Sequence, residues 1–349
     1  MSSASGRKAY TVAIARDTLR RRTKALADAL RSPHQDPRPA AHALYEILIR
    51  PFEAEIATRS DARVILVSAD GELRHLPFAA LHDGTQYLAQ RVATVLNVVG
   101  GARRTEPSSR RPWIAAMGVS RAHAGFRSLP AVALELRAIV RDESNPAGAL
   151  PGRYVLDDPF TAAHLKLSLD EGRASIIHLA SHYRFSPLGE HESFLLTGDG
   201  RRLSLAQFRK GGFDFTGVDL LTISACETAM ARHSRGIEVE ALAVVARKLG
   251  ARSVMATLWS VADESTARFM QRFYKARYDS GLSKAQALRQ AQIDMIEGRT
   301  IATANGYRWE TRGATAAGAR PRADFSGAPD ARYSHPFYWA PFIVMGAWH

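Results

Sequence analysis

The sequence predicts an α/β sandwich built on a mainly parallel sheet, and two observations carry that prediction. Short apolar runs at 64–68, 92–99, 113–119, 174–180, 218–225, 253–259 and 342–346 are continuously apolar rather than alternating. That is the pattern of strands buried on both faces. Between them, 131–143, 159–169, 238–250, 263–281 and 283–298 carry apolar residues at three-to-four-residue spacing, the mark of amphipathic helices. Strands alternating with helices demand crossover connections and helices on both sides of the sheet.

Taken in order, the first element is a helix over about 10–30, where Ala13, Ile14, Leu19, Leu26 and Leu30 fall at loosely helical spacing. The prolines of SPHQDPRP at 32–39 stop it. A second helical stretch, AAHALYEILIRPFEAEI, leads into the strand VILVS, which the turn residues Asp70 and Gly71 end. Ser283 with Gln286 forms a capping box at the start of the last long helix. Gly250, Gly281 and Gly298 stand where helices should end. From 299 to 335 periodicity is lost and Gly, Ala, Arg and Pro dominate, so this stretch is expected to be a flexible or regulated loop. The expected domains are an N-terminal helix with a Pro-rich linker at 1–40 and one large domain at 41–349 that contains the loop.

Composition excludes several function classes. At 349 residues with 46% hydrophobic and 23% charged residues, the chain can bury a large core. No apolar run approaches the roughly 18 residues of a membrane span. The N-terminal stretch lacks the apolar core and cleavage site of a secretory signal. One cysteine, Cys226, rules out an intrachain disulfide and a zinc site of four cysteines, and the expected compartment is a reducing cytoplasm. Lys and Arg exceed Asp and Glu by 13, yet the basic residues sit in short groups such as Arg20–Arg22 and Arg201–Arg202, without an aromatic ladder. Direct nucleic-acid binding is therefore not expected, and acidic protein partners explain the charge equally well.

In an open parallel sheet, reactive groups gather beyond the carboxyl ends of the strands. His182 follows the run SIIHLAS and Cys226 follows DLLTISA. The interval between them is long enough for a crossover that would set the two strands side by side. A thiol near pKa 8.5 needs a neighbouring base or cation to become a nucleophile, and an imidazole supplies that help. The alternative reading of Cys226 is an inert buried thiol. His178, inside the strand, is assigned a structural role. No ligand spacing links His178, His182 and Cys226, so no metal or other cofactor is expected.

The stretches ASIIHLASHY, VDLLTISACETAM, ARSVMATLWSVADESTARFMQRFY, LSKAQALRQAQ and HPFYWAPFIVMG, with RVILVSADGELRHLPFAALHDGTQYLAQR upstream, resemble the CHAT domain. The resemblance covers about 41–349 and implies a caspase-like three-layer sandwich, grouped with caspases, separases and gingipains. It implies a cysteine endopeptidase that cleaves a specific protein partner through a Cys226/His182 dyad, and a role in bacterial defence or regulated cell death. The backbone N–H groups of Cys226 and Tyr183 would form the oxyanion hole. The commoner family pattern has glycine after the histidine; Tyr183 stands there instead, and if the loop required a positive φ a tyrosine would be strained. A catalytically idle scaffold that binds partners is therefore the alternative. No acidic third member can be named, and Glu227 can equally open a loop or helix. Asp263 would either accept a basic substrate side chain or cap the following helix, and Ser224 would line the same pocket. Most relatives carry partner-recognising repeats, so a separate recruiting or activating subunit is expected.

Overall fold

A strand that is apolar on both faces finds its neighbours only inside a sheet covered on both sides, and the buried runs pair accordingly. The computed structural model describes residues 2–3, 6–57, 64–74, 76–97, 111–184, 186, 189–225, 237–259, 261, 263–299 and 332–349. Cys226, Glu227, the stretch 300–331 and the side chain of Asp263 lie outside the described residues.

A two-residue antiparallel pair, β1 (Ser2–Ser3) and β2 (Gly6–Arg7), precedes α1 (Arg16–Leu30), α2 (Arg38–Leu48) and α3 (Glu53–Ala57). Next come β3 (Val64–Val67), α4 (Leu88–Arg91), β4 (Ala93–Leu96), β5 (Ile114–Gly118), α5 (Ala131–Ile139), β6 (Val140–Arg141), β7 (Leu150–Leu156), α6 (Ala162–Asp170) and β8 (Ile176–Ser181). A small antiparallel unit, β9 (Tyr183–Arg184), β10 (Phe194–Leu196) and β11 (Arg202–Ser204), leads into α7 (Leu205–Lys210). The chain continues through β12 (Leu220–Ala225), α8 (Ile237–Lys248), β13 (Ser253–Thr257), α9 (Asp263–Tyr278), α10 (Lys284–Ile296), α11 (Pro336–Trp339) and β14 (Phe342–Gly346).

The main sheet has the order β3-β4-β14-β13-β12-β8-β5-β7-β6. From β6 to β13 the strands are parallel, as the crossover helices require; β14 runs antiparallel to β13 and parallel to β4. Helices α1, α2, α4, α5, α9, α10 and α11 share a core on one face, with Leu26, Leu44, Leu136, Phe273 and Trp339 fully buried. Leu165 of α6, Phe208 of α7, Val245 of α8 and Leu195 of the small unit form the core on the other. The three-layer sandwich expected from the sequence is thus the fold observed. Because Leu26 and Leu30 pack with Leu44 and Tyr45, α1 belongs to the same core as the sheet-covering helices. Among the described residues no helix is long and apolar enough to cross a membrane.

Local chemistry fixes the ends of these elements. Ser283 Oγ accepts the Gln286 N–H at 3.2 Å while Gln286 Oε1 accepts the Ser283 N–H at 3.1 Å, the capping box of α10. Gly250, just past α8, has φ 110° and lies so close to Thr216 that a Cβ would sit 2.6 Å from its backbone nitrogen. At the other end of the aperiodic 299–335 stretch, Tyr333, Ser334 and His335 are buried. His335 caps α11 by accepting the Phe337 N–H on Nδ1 at 3.0 Å, and its Nε2 donates to the Gln35 carbonyl at 2.7 Å.

That capping role makes a pH-dependent contribution. Burial lowers the His335 pKa, and it lowers those of His82 and His164 in the same direction. The native state therefore holds fewer protons than the unfolded chain in this range. Stability is fully present above the unfolded value near 6.5 and is lost as pH falls through the lower folded values. Thermal melts should give a lower Tm at pH 5 than at pH 7.5. His335→Asn, which keeps a side-chain acceptor at the cap, should flatten that difference, and an unchanged pH profile would remove His335 from its cause.

Candidate active site

The strand order places the site. From β5 the chain moves by α5 to β7 on one side, whereas from β8 it moves to β12 on the other, so the crevice between the carboxyl ends of β5 and β8 is the topological switch point. Ligands bind at such crevices in open α/β sheets, because neighbouring connections diverge to opposite faces and leave a gap. His182 is the first residue past β8 and stands at that gap.

Its imidazole is held from the β5 side. The Arg127 carbonyl, in the connection between β5 and α5, lies 2.8 Å from His182 Nε2. A carbonyl only accepts, so Nε2 carries the proton and Nδ1 is the basic nitrogen of the neutral ring. Phe126 packs its ring 5.1 Å from the imidazole. His182 is 2% exposed, so it is a roofed side chain although it stands at a strand end. The Leu196 N–H donates to the His182 carbonyl at 2.8 Å, and Ser181 Oγ donates to the Leu196 carbonyl, tying β8 to the small antiparallel unit.

The supporting connection is braced by Asp157, at the end of β7. Its carboxylate accepts from Ser120 N–H at 2.7 Å, Ser120 Oγ at 2.7 Å and Arg121 N–H at 3.0 Å. Burial alone would raise its pKa, but these hydrogen bonds outweigh burial and hold it below the ordinary carboxylate range. Asp157 adopts φ 59°, a left-handed conformation that aspartate tolerates better than most residues. Asp157→Ala should therefore cost about 2–3 kcal/mol through orphaned donors and backbone strain. It should also slow any chemistry at His182 by loosening the Arg127 carbonyl, whereas Asp157→Asn should retain most of the stability. Chemical denaturation and turnover of the two variants would check this.

The other sequence-predicted residues fall as follows. Parallel register sets Ala225 opposite Ser181, so the next residues of the two strands are His182 and Cys226, the latter outside the described set. Ser224, opposite Ala180, is buried within β12. Tyr183 is an extended residue of β9 opposite Leu195, buried at 5%. Among the described residues Asp157 is the non-glycine residue with positive φ, so Tyr183 does not carry the strain that a glycine-requiring loop would impose. Asp263 is the first residue of α9. His178 is fully buried, with Nε2 3.0 Å from Glu135 and Nδ1 3.1 Å from the Tyr274 hydroxyl, in keeping with its structural assignment. Sequence reasoning missed Arg127, which acts through its backbone and leaves no residue-type signal. It also missed Asp157, although Asp-Asp-Pro at a strand end is a readable turn signal.

This arrangement, a histidine oriented by a carbonyl at the switch point of a three-layer α/β sandwich and set in register with the strand leading to a lone cysteine, defines a class of fold. The family model of the CHAT domain matches residues 38–347, and the chain belongs to that family. Among solved structures, the Arg-specific cysteine proteinase gingipain R is similar with a TM-score of 0.50 at 8% identity, over 87% of this chain and 68% of that one. The complex of the pro- and mature domains of RgpB from Porphyromonas gingivalis gives a TM-score of 0.47 at 8% identity, over 95% and 77%. At such identity the gingipain likeness is one of fold. No curated protein matches the chain.

Proposed function

We propose that the chain is a cysteine endopeptidase in which Cys226 and His182 form the catalytic dyad. The observation that carries this reading is the pairing of Ala225 with Ser181, together with the Arg127 carbonyl on His182 Nε2, which leaves Nδ1 as the base that a thiol requires. The Cys226 thiolate would attack the peptide carbonyl, forming an Sγ–C bond. The C–N bond then breaks, with the imidazolium giving its proton to the departing amine. Water, deprotonated by the same imidazole, hydrolyses the thioester and restores the thiol.

The oxyanion would be held by the N–H groups of Cys226 and Tyr183. The hydrogen bond from Leu196 N–H to His182 makes that pair the bonded one of the antiparallel ladder, so the next pair, Tyr183 with Leu195, directs its N–H and C=O groups away from β10. That supports a donor role without the family glycine. Ser224, on the strand beside β8, and Asp263, where α9 leaves the same edge of the sheet, are proposed to line the substrate side-chain pocket. The substrate would be a specific protein partner, presented by a separate recruiting or activating subunit in a reducing cytoplasm, in the defence or cell-death setting the family association implies.

The test compares new protein N-termini in a cell extract treated with the wild-type chain or with Cys226→Ala. Cuts that appear with wild type alone are expected. Equal cutting by Cys226→Ala would end the reading, since there is no second cysteine to take over.

A further inference from the structure

The edge of the sheet away from His182, where β5 and β8 begin, carries charge that the catalytic reading leaves unused. Parallel register sets Ile114 beside Ile176, and the Ser175 and Ile176 N–H groups donate to the Trp113 carbonyl at 3.1 and 3.2 Å. Extended back past these pairs, the same register sets Arg111 beside Arg173. Side chains alternate along a strand, so Arg111, Trp113 and Arg173 share one face of the sheet. Arg153 of β7, which pairs with Ala115, shares it too. The Arg173 guanidinium lies over the Trp113 ring at 4.5 Å from its centre, and that of Arg153 at 5.6 Å.

The charges on this face are not equivalent. Arg153 donates to Glu171 at 2.5 Å and to Ser168 Oγ at 3.4 Å. Arg111 and Arg173 are exposed, and among the described residues no carboxylate pairs with either. The neighbouring acids are engaged elsewhere: Glu171 with Arg153, Asp170 with Lys166 and Asp219 with Lys284. Like charges set side by side on adjacent strands repel, so neither packing nor pairing within the chain accounts for this couple. Stacking on Trp113 fixes the plane of the Arg173 guanidinium and leaves its in-plane N–H groups at the edge, the geometry that receives a carboxylate. One half-buried ring already covered by two guanidinium groups is not the ladder on which bases stack.

We infer that Arg111 and Arg173 form a docking site for an acidic segment of a partner protein. Adjacent strands stand about 4.8 Å apart, and alternate residues of an extended peptide about 6.8 Å, so two alternate carboxylates can each face one arginine. The length of β8 and its flanks, about 30 Å at 3.3 Å per residue, separates the site from His182. A partner seated there leaves the crevice at His182 open, as a recruiting subunit must. That role rests on the peptidase reading; the docking site itself does not.

The test uses the Cys226→Ala protein, titrated into a fluorescein-labelled hexapeptide of alternating Glu and Ala, and into its Gln counterpart. The Glu probe should bind at least tenfold more tightly. Arg111→Glu with Arg173→Glu should erase that advantage, and so should Arg111→Gln with Arg173→Gln, all four changes falling on exposed side chains. Arg202→Glu, in the small sheet beside His182, should leave it intact. Equal affinities for the two probes would overturn the inference, as would an advantage that survives both double variants or that Arg202→Glu removes. Displacement of the Glu probe by a single-stranded oligonucleotide at lower concentration than by unlabelled Glu peptide would also overturn it, assigning the arginines to phosphates. Because the cysteine is absent throughout, loss of the docking site leaves the peptidase reading standing. An extract left uncut by wild type defeats that reading and leaves the docking site.

Discussion

Replacing His182 by alanine is expected to lower the rate of peptide cleavage by on the order of a thousandfold or more, because in the proposed dyad one group acts as thiol activator, as acid for the leaving amine and as base for water. Unlike a surface histidine, it will also cost stability. His182 is 2% exposed, packs on Phe126 and bonds the Arg127 carbonyl, so its removal should cost about 1–3 kcal/mol. His182→Gln separates the two effects. Its amide N–H can still donate to Arg127, restoring most of the stability, while no proton shuttle returns. Alkylation by iodoacetamide at pH 6.5 provides the readout closest to the mechanism: the wild-type thiol should react faster than an ordinary cysteine, and both variants should lose that advantage. Wild-type cleavage by a folded His182→Ala protein would remove His182 from the mechanism.

What the sequence made legible, and what it did not, follows from how each element is buried. β8, β12, β13 and β14 are covered on both faces, so each reads as a mostly apolar run without the regular alternation of a half-exposed strand, and 342–346 coincides with β14 to the residue. β7 escapes notice because Leu150–Leu156 contains Pro151, Gly152 and Arg153 and is mostly half-buried. Gly152 is there because a Cβ would meet the Ile114 carbonyl at 2.1 Å. The strands of the small unit are two or three residues long, too short for any period to show. The first helix starts at Arg16 and not near 10, since Tyr10 instead bonds Glu55 at 2.6 Å and packs edge-on against Phe52. At the candidate site, the position of His182 just past a buried strand was readable. The carbonyl that orients it was not, because any residue could supply it.

The second large effect is expected where no chemistry is assigned. His178→Ala should destabilise the fold by about 3–5 kcal/mol. Its imidazole joins Glu135 of α5 at 3.0 Å and the Tyr274 hydroxyl of α9 at 3.1 Å, and that hydroxyl lies 2.7 Å from Thr222 Oγ1 on β12. Glu135 is 3% exposed, so without the imidazole its carboxylate keeps its burial and loses its partner. Replacing both members of the pair by apolar residues, as in His178→Leu with Glu135→Leu, should recover much of the loss, because a buried pair gains little over good packing once its desolvation cost is counted. The network lies on the sheet face that Thr222 shares with Ser224, one Ala180/Ser224 step from the strand ends that lead to the proposed dyad. It cross-links α5 and α9 at that depth, so the folded fraction of His178→Ala should cleave at close to the wild-type rate per folded molecule. Urea denaturation and activity measured on the same samples would check both halves. A His178→Ala protein with wild-type stability and no activity would mean that the network acts on the chemistry and not on the fold.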